Sequence, residues 1–170
     1  MPKDFEFSAE LPHAVREVHA ALTDERYWRW RMKDSDRSVV VIDKPYGPET
    51  LRVTVTDRTD LADLPAIVRG VLRRPLVSEW VNEWGRLDGD TSRGRITGGA
   101  TGGVPFRIES RSRLRAIESR RTRFDVRGQV AVNVPVVGGQ IELLVRQMIL
   151  RSVAADQDVL DGWLTDEQRG

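Results

Sequence analysis

The chain has 170 residues, 39% hydrophobic and 31% charged, with a formal net charge of +1. That composition is globular rather than disordered, and the near balance of charge leaves no global field to hold nucleic acid, so no nucleic-acid partner is expected. There is no cysteine, which excludes disulfides, Cys-ligated zinc and thiol catalysis together.

Residues 3–9 alternate Phe5 and Phe7 with polar side chains, a first strand that Leu11 and Pro12 stop. Pro12 suits a first helical turn, and Ala14, Val15, Val18, Ala21 and Leu22 give a helical stripe. Thr23 or Asp24 caps a second helix over residues 25–33. Residues 38–43 are a continuous apolar run that fits a strand. In residues 51–55, Leu51, Val53 and Val55 alternate with Arg52 and Thr54, a half-buried strand. A short helix starts around Asp63 and Pro65 and ends at Pro75. Residues 76–86 are strand-like, with Trp80, Asn82 and Trp84 on one face and Glu79, Val81 and Glu83 on the other. Asp88 and Gly89 form a hairpin turn into residues 91–97, and Gly98 to Gly103 read as a loose glycine-rich connection. Two long strands follow. In one, Phe106, Ile108, Ser110, Ser112 and Leu114 alternate with charged residues. In the other, Phe124, Val126, Gly128, Val130 and Val132 alternate with Arg123, Asp125, Arg127, Gln129 and Ala131. Consecutive strands with short turns make an antiparallel meander with one apolar face.

The chain closes on a long helix, expected over residues 140–164, with Gly138 and Gly139 marking a turn before it. Ile141, Leu144, Val145, Met148, Ile149, Ser152, Ala155, Val159 and Trp163 recur at spacings of three and four, one helical face. Glu142, Gln157 and Asp158 are assigned to the outer faces. A helix of that length must lie across the whole sheet, and its apolar face must meet the sheet's.

This order of elements resembles the helix-grip fold of the START-like, or SRPBCC, superfamily, which includes the Bet v 1 allergens. Within it the chain resembles an actinobacterial family of unknown function, DUF2505. The resemblance rests on an opening strand followed by LPHAVREVHAALTDERYW, on DLPAIVRGVL, on the Trp84 strand with its Asp88-Gly89 turn, and on NVPVVGGQIELLVRQ. It implies an α+β domain over residues 1–170. A curved seven-stranded antiparallel sheet would wrap around the C-terminal helix, with two short helices after strand 1 and a cavity for apolar or aromatic ligands.

The expected function is binding or carriage of a small hydrophobic ligand, lipid or polyketide-like, between sheet and helix. Candidate lining residues are Trp80, Asn82, Trp84, Phe106, Ile108, Ser110, Ser112, Phe124, Val126, Leu144, Met148 and Ser152. Ser110, Ser112 and Asn82 are polar on the predicted inner faces, which either a lined cavity or bonds to neighbouring backbone would explain. The alternatives are an SRPBCC-type enzyme, cyclase- or hydratase-like, and a protein-interaction module with a closed core. No catalytic residue is assigned. His13 and His19 lie six apart with no third ligand at a recognisable spacing, so no metal is expected. The glycine run lacks the Lys-Ser/Thr of a phosphate loop, so no cofactor is expected. The arginines alternating through the last strands read as a solvated face with cross-strand ion pairs. No signal peptide and no membrane-spanning run is found, so a cytoplasmic chain without integral membrane association is expected.

Overall fold

The computed structural model describes residues 2–102 and 105–170. A strand β1 (Lys3–Leu11) leads into two short helices, α1 (Val15–Leu22) and α2 (Glu25–Arg31). Strands β2 (Ser38–Asp43) and β3 (Leu51–Thr59) follow, then a 3-10 turn (Leu61–Asp63) and a four-residue helix α3 (Ala66–Arg69). Strands β4 (Leu76–Trp84), β5 (Thr91–Gly102), β6 (Phe106–Glu118) and β7 (Arg121–Val132) complete the sheet, and α4 (Gly138–Arg169) closes the chain. The sheet has seven antiparallel strands in the order β1-β7-β6-β5-β4-β3-β2. This is the helix-grip arrangement.

Local chemistry explains the element ends. Glu17 reaches back to the Ala14 N–H at the start of α1 (3.0 Å), and the Asp24 carboxylate caps α2 by accepting from the Arg26 N–H (2.8 Å). Gly89 takes the positive φ of 59° that the Asp88–Thr91 hairpin requires. The glycine run is not a loose connection. Its residues up to Gly102 extend β5, pairing with β4 as far as Gly102 across an irregularity at Val77 and Ser78, and with β6 through Gly99. Gly103 lies outside the described residues.

The convex face carries the charges. Arg52 pairs with Glu83 (2.6 Å), Arg123 with Asp125 (3.0 Å), and Arg127 with Glu6 (3.5 Å), all across strands or along them at the surface. Burial pushes the Asp125 carboxyl up. Hydrogen bonds from Ser8 and Arg123, with the Arg123 and Arg115 charges, outweigh that and hold it below the usual carboxylate range.

Helix α4 differs from expectation in two ways. It starts at Gly138, so both glycines are in its first turn rather than before it, and its 32 residues span about 48 Å. Its buried face is also turned. Ile141, Val153, Leu160 and Leu164 are buried, together with Glu142 and Gln157, which the sequence assigns to outer faces. Met148 is 52% exposed, and Ser152 and Ala155 are exposed too. α4 lies along β1 and β7 and touches α1. Docking at that edge selects the stripe beginning at Val153, one position on from Ser152.

Leu160→Ala should therefore cost about 2–5 kcal/mol, because it opens a cavity under the helix. Met148→Ala should cost less than about 1 kcal/mol. Chemical denaturation of both variants checks this, and equal losses would mean that Met148 faces the sheet.

Candidate functional site

The strand registers assemble the concave face row by row. Trp80 lies opposite Val55 and Gly98, and Gly98 opposite Ile108, which faces Val130. In the next row Asn82 lies between Val53 and Ile96, followed by Ser110, Gly128 and Phe5. Beyond that, Trp84 lies between Leu51 and Gly94, followed by Ser112, Val126 and Phe7. Leu114 and Phe124 form the next row. Trp80, Asn82 and Trp84 thus share one face with Phe106, Ile108, Ser110, Ser112, Phe124 and Val126.

The two indoles lie on glycines. A Cβ added to Gly98 would come within 2.4 Å of the Trp80 ring, and one added to Gly94 within 2.9 Å of the Trp84 ring and 2.8 Å of the Glu83 carbonyl. The missing side chains on β5 are what let two tryptophans of β4 lie down across the sheet. Trp84 then meets Phe124 (5.9 Å between centroids) and Trp80 meets Phe106 (6.1 Å).

The face has a closed end and an open end. At the closed end α1 and the C-terminal half of α4 are tied down. His19 Nε2 lies 2.8 Å from the Gly85 carbonyl, which also accepts from Ser92 Oγ (3.0 Å). The Thr122 hydroxyl donates to the His13 carbonyl (2.8 Å), and His13 Nε2 lies 2.6 Å from Asp161 Oδ1. Both histidines are buried and engaged in fastening helices to strands. Trp28 donates its indole N–H to the Leu22 carbonyl (2.9 Å), and Tyr27, Trp30 and Trp163 form an aromatic cluster where α2 meets α4. Arg31 pairs with Asp156 beside it. Burial pushes the Asp156 carboxyl up against the opposing pull of Arg31, and burial also raises Tyr27.

At the other end Phe106 pairs with Val132, whose N–H donates to Glu142 Oε1 (3.0 Å), so α4 begins there. Trp80, Asn82, Ile96, Phe106, Val55, Leu144, Val145 and Ile149 all keep partial exposure, whereas Trp84 is only 3% exposed and Ile108, Ser110 and Ser112 are buried. The exposure falls from one end of the face to the other, so the face is open where α4 begins and covered at the far end.

Three polar atoms on that face are buried and make no hydrogen bond among the described residues: Asn82 Oδ1, Trp84 Nε1 and Ser112 Oγ. Ser110 differs, since its hydroxyl donates to the Ile96 carbonyl (3.1 Å). Backbone bonding therefore accounts for Ser110 and leaves the other two. Of the helix residues, Leu144 borders the open end, while Met148 and Ser152 point away from the packed interface. Two surface clefts lie elsewhere. One of about 260 Å³ lies between β1 and α4 at Leu11, Gln157 and Asp161, and one of about 330 Å³ lies on the convex side at Glu79, Arg95 and Thr97. Among the described residues no group of three or more His, Asp or Glu is placed to hold a metal, and no helix is long and apolar enough to cross a membrane.

A family model described as "Protein of unknown function (DUF2505)" matches residues 6–164. The chain belongs to the DUF2505 family. An uncharacterized protein of Mycobacterium tuberculosis is 24% identical over 173 residues, covering 98% of this chain and 99% of that one. Among solved structures, a Thermus thermophilus protein superposes with a TM-score of 0.61 at 13% identity, over 97% of this chain and 99% of that one. The Zhui aromatase/cyclase from a Streptomyces species gives 0.60 at 12% identity, over 97% and 94%. At these identities the likeness is one of fold alone, and the fold this DUF2505 chain shares with them is the helix-grip fold.

Sequence reasoning missed Glu142, a buried carboxylate on α4 whose Oε2 is unpartnered, and the glycine seats of the two indoles. The spacing Gly94, Gly98 opposite Trp84, Trp80 was the available signal, visible once the β4–β5 hairpin register is set by Asp88 and Gly89.

Gly94→Ala should destabilise the fold by about 1–3 kcal/mol, because neither the Glu83 backbone nor the Trp84 ring can give way. Gly139→Ala meets nothing within 4 Å in the first turn of α4 and should be neutral or stabilising. Denaturation midpoints test the pair, and a harmless Gly94→Ala would contradict the seated indole.

The raised Tyr27 has a second consequence. The folded state holds the phenolic proton more tightly than the unfolded chain, so stability is full below the unfolded pKa of about 10 and falls as pH rises above it. Tyr27→Phe should flatten that alkaline loss, measured as the difference between the two proteins' stability–pH curves above pH ~10.

Proposed function

We infer that the protein binds a small hydrophobic molecule, aromatic or lipid-like and bearing a polar group, on the concave face between the sheet and α4. The observation that carries this is the set of three unpartnered buried atoms, Asn82 Oδ1, Trp84 Nε1 and Ser112 Oγ, on an otherwise apolar face that would form the floor of a binding groove. A buried donor or acceptor left without a partner costs about 1–3 kcal/mol. Two donors and an acceptor on adjacent rows are a recognition set for a hydroxyl or carbonyl, and the surrounding Trp80, Phe106, Ile108 and Val126 supply apolar contact. The aromatase/cyclase of the same fold supports the reading as a precedent for the scaffold. The chain's expected setting remains the cytoplasm.

A second reading, catalysis, rests on Glu142, whose buried carboxylate has one oxygen free for acid–base work. If it operates, a ligand recovered from the wild type should be chemically altered, and one recovered from Glu142→Gln should not. Mass spectrometry of the recovered ligand distinguishes them.

Titration with 2-naphthol should change tryptophan fluorescence saturably, and naphthalene should bind more weakly. Ser112→Ala should raise the stability of the ligand-free protein by about 1 kcal/mol, since it removes an unpaired hydroxyl, yet weaken 2-naphthol about fivefold. A Ser112→Ala variant whose affinity and stability both match the wild type would remove the polar floor from the account.

A further inference from the structure

The sequence is charged at nearly one residue in three, yet residues 96–106 and 128–141 contain no charged side chain at all. The strand registers bring these two stretches together. Phe106 pairs with Val132, and the Asn133 N–H donates to the Pro105 carbonyl (2.9 Å), so both lie at the open end of the groove. The β3–β4 connection reaches the same end, because Thr59 pairs with Leu76, and Val77 with Gly102.

Apolar side chains are exposed there. Val136 is 99% exposed, Leu143 46% and Val71 39%, and Met148 follows on α4. Val136 is the most telling. It holds a φ of 69°, a conformation that a β-branched side chain adopts only under strain, and it gains no burial in return. Asn, Asp or Gly would suit that backbone better, so folding alone does not account for a valine. Beside these residues, Arg69, Arg73 and Arg74 stand on the β3–β4 connection, with no ion pair among the described residues. The net charge of +1 conceals this local asymmetry.

We propose that the open end of the groove docks on an anionic lipid bilayer, with Val136, Leu143 and Val71 inserting among the headgroups and Arg69, Arg73 and Arg74 meeting the lipid phosphates. Apolar tips carried on separate elements, with two charge-free stretches between them and arginines alongside, fit a soft interface that is apolar below and anionic above. Arginine's forked donors match phosphate oxygens. The contact is peripheral, and it would place the groove's open end against the source of a hydrophobic ligand. It does not depend on which ligand the groove takes.

The test is co-flotation of the full chain with vesicles, without added ligand. One set is phosphatidylcholine and the other phosphatidylcholine mixed with phosphatidylglycerol. The wild type should float with the anionic vesicles and much less with the neutral ones. Val136→Asn, which suits the positive φ and leaves the fold intact, should reduce flotation about fivefold. The double variant Arg73→Gln, Arg74→Gln should reduce it about tenfold or more. Removing two convex-face arginines instead, Arg93→Gln with Arg113→Gln, should leave it unchanged. Three results would overturn the proposal: no flotation with either vesicle, loss from the convex-face double variant as large as from Arg73 and Arg74, or a concentration-dependent dimer sensitive to Val136→Asn in place of vesicle binding. None of these would bear on 2-naphthol binding, so the docking and the groove stand or fall separately.

Discussion

Everything in this fold follows from one constraint: a curved sheet with one apolar face must be covered. Five of the seven strands put Phe5, Val53, Trp84, Ile108, Leu114, Val126 and Val130 on the same side, and water must be kept from them. A single helix does most of that work, but it lies along β1 and β7 rather than over the middle of the sheet. The central strands cover themselves partly by laying Trp80 and Trp84 flat over Gly98 and Gly94. Shielding is therefore complete at the end where His13, His19 and the Tyr27–Trp30–Trp163 cluster fasten the helices. It is incomplete where α4 begins, and the proposed binding groove lies there.

The seated indoles also explain why a polar floor is tolerated. A face filled by branched aliphatic side chains from every strand would leave no room around Ser112 and Asn82, and unpaired polar atoms there would only weaken the core. Glycines on β5 and β7, Gly94 and Gly128, let the Trp84 and Phe5 rings pack over the rows that carry Asn82, Trp84, Ser110 and Ser112. The same substitution pattern, small residue opposite large aromatic, sets both the curvature of the sheet and the chemistry of its inner surface.

Much of the fold was legible in the sequence because strands are read by a period of two, and one apolar face makes that period unmistakable. The alternations around Leu51, Trp84, Ser112 and Val126 gave the strands and the residues that share a face. Which of those faces is concave was not legible, and the continuous apolar run of residues 38–43 gave a strand without a side. The phase of α4 was not legible. Its two candidate stripes differ by one position, and the sequence stripe through Ser152, Ala155 and Val159 was apolar or small enough to pass for a core face. What decides between them is tertiary: Leu160 and Leu164 pack under the helix, and Arg31 of α2 pairs with Asp156. Gln157 looked like a surface residue because an amide usually is one. The glycine run looked like a loop because its role, seating a ring from the neighbouring strand, depends on a cross-strand partner that local pattern does not reveal.

The central claim is that the floor of the groove offers unpaired polar groups to a ligand. Indole N–H resonances report on this one by one, since the chain has five tryptophans. Trp28 is bonded to the Leu22 carbonyl and serves as an internal reference. In a heteronuclear NMR titration with a phenolic ligand, the Trp84 indole N–H should move downfield and become further protected from exchange with water, while the Trp28 signal stays in place. A Trp84 signal that is unmoved at saturation, with shifts confined to Trp30 and Trp163 at the α2–α4 cluster, would contradict the account.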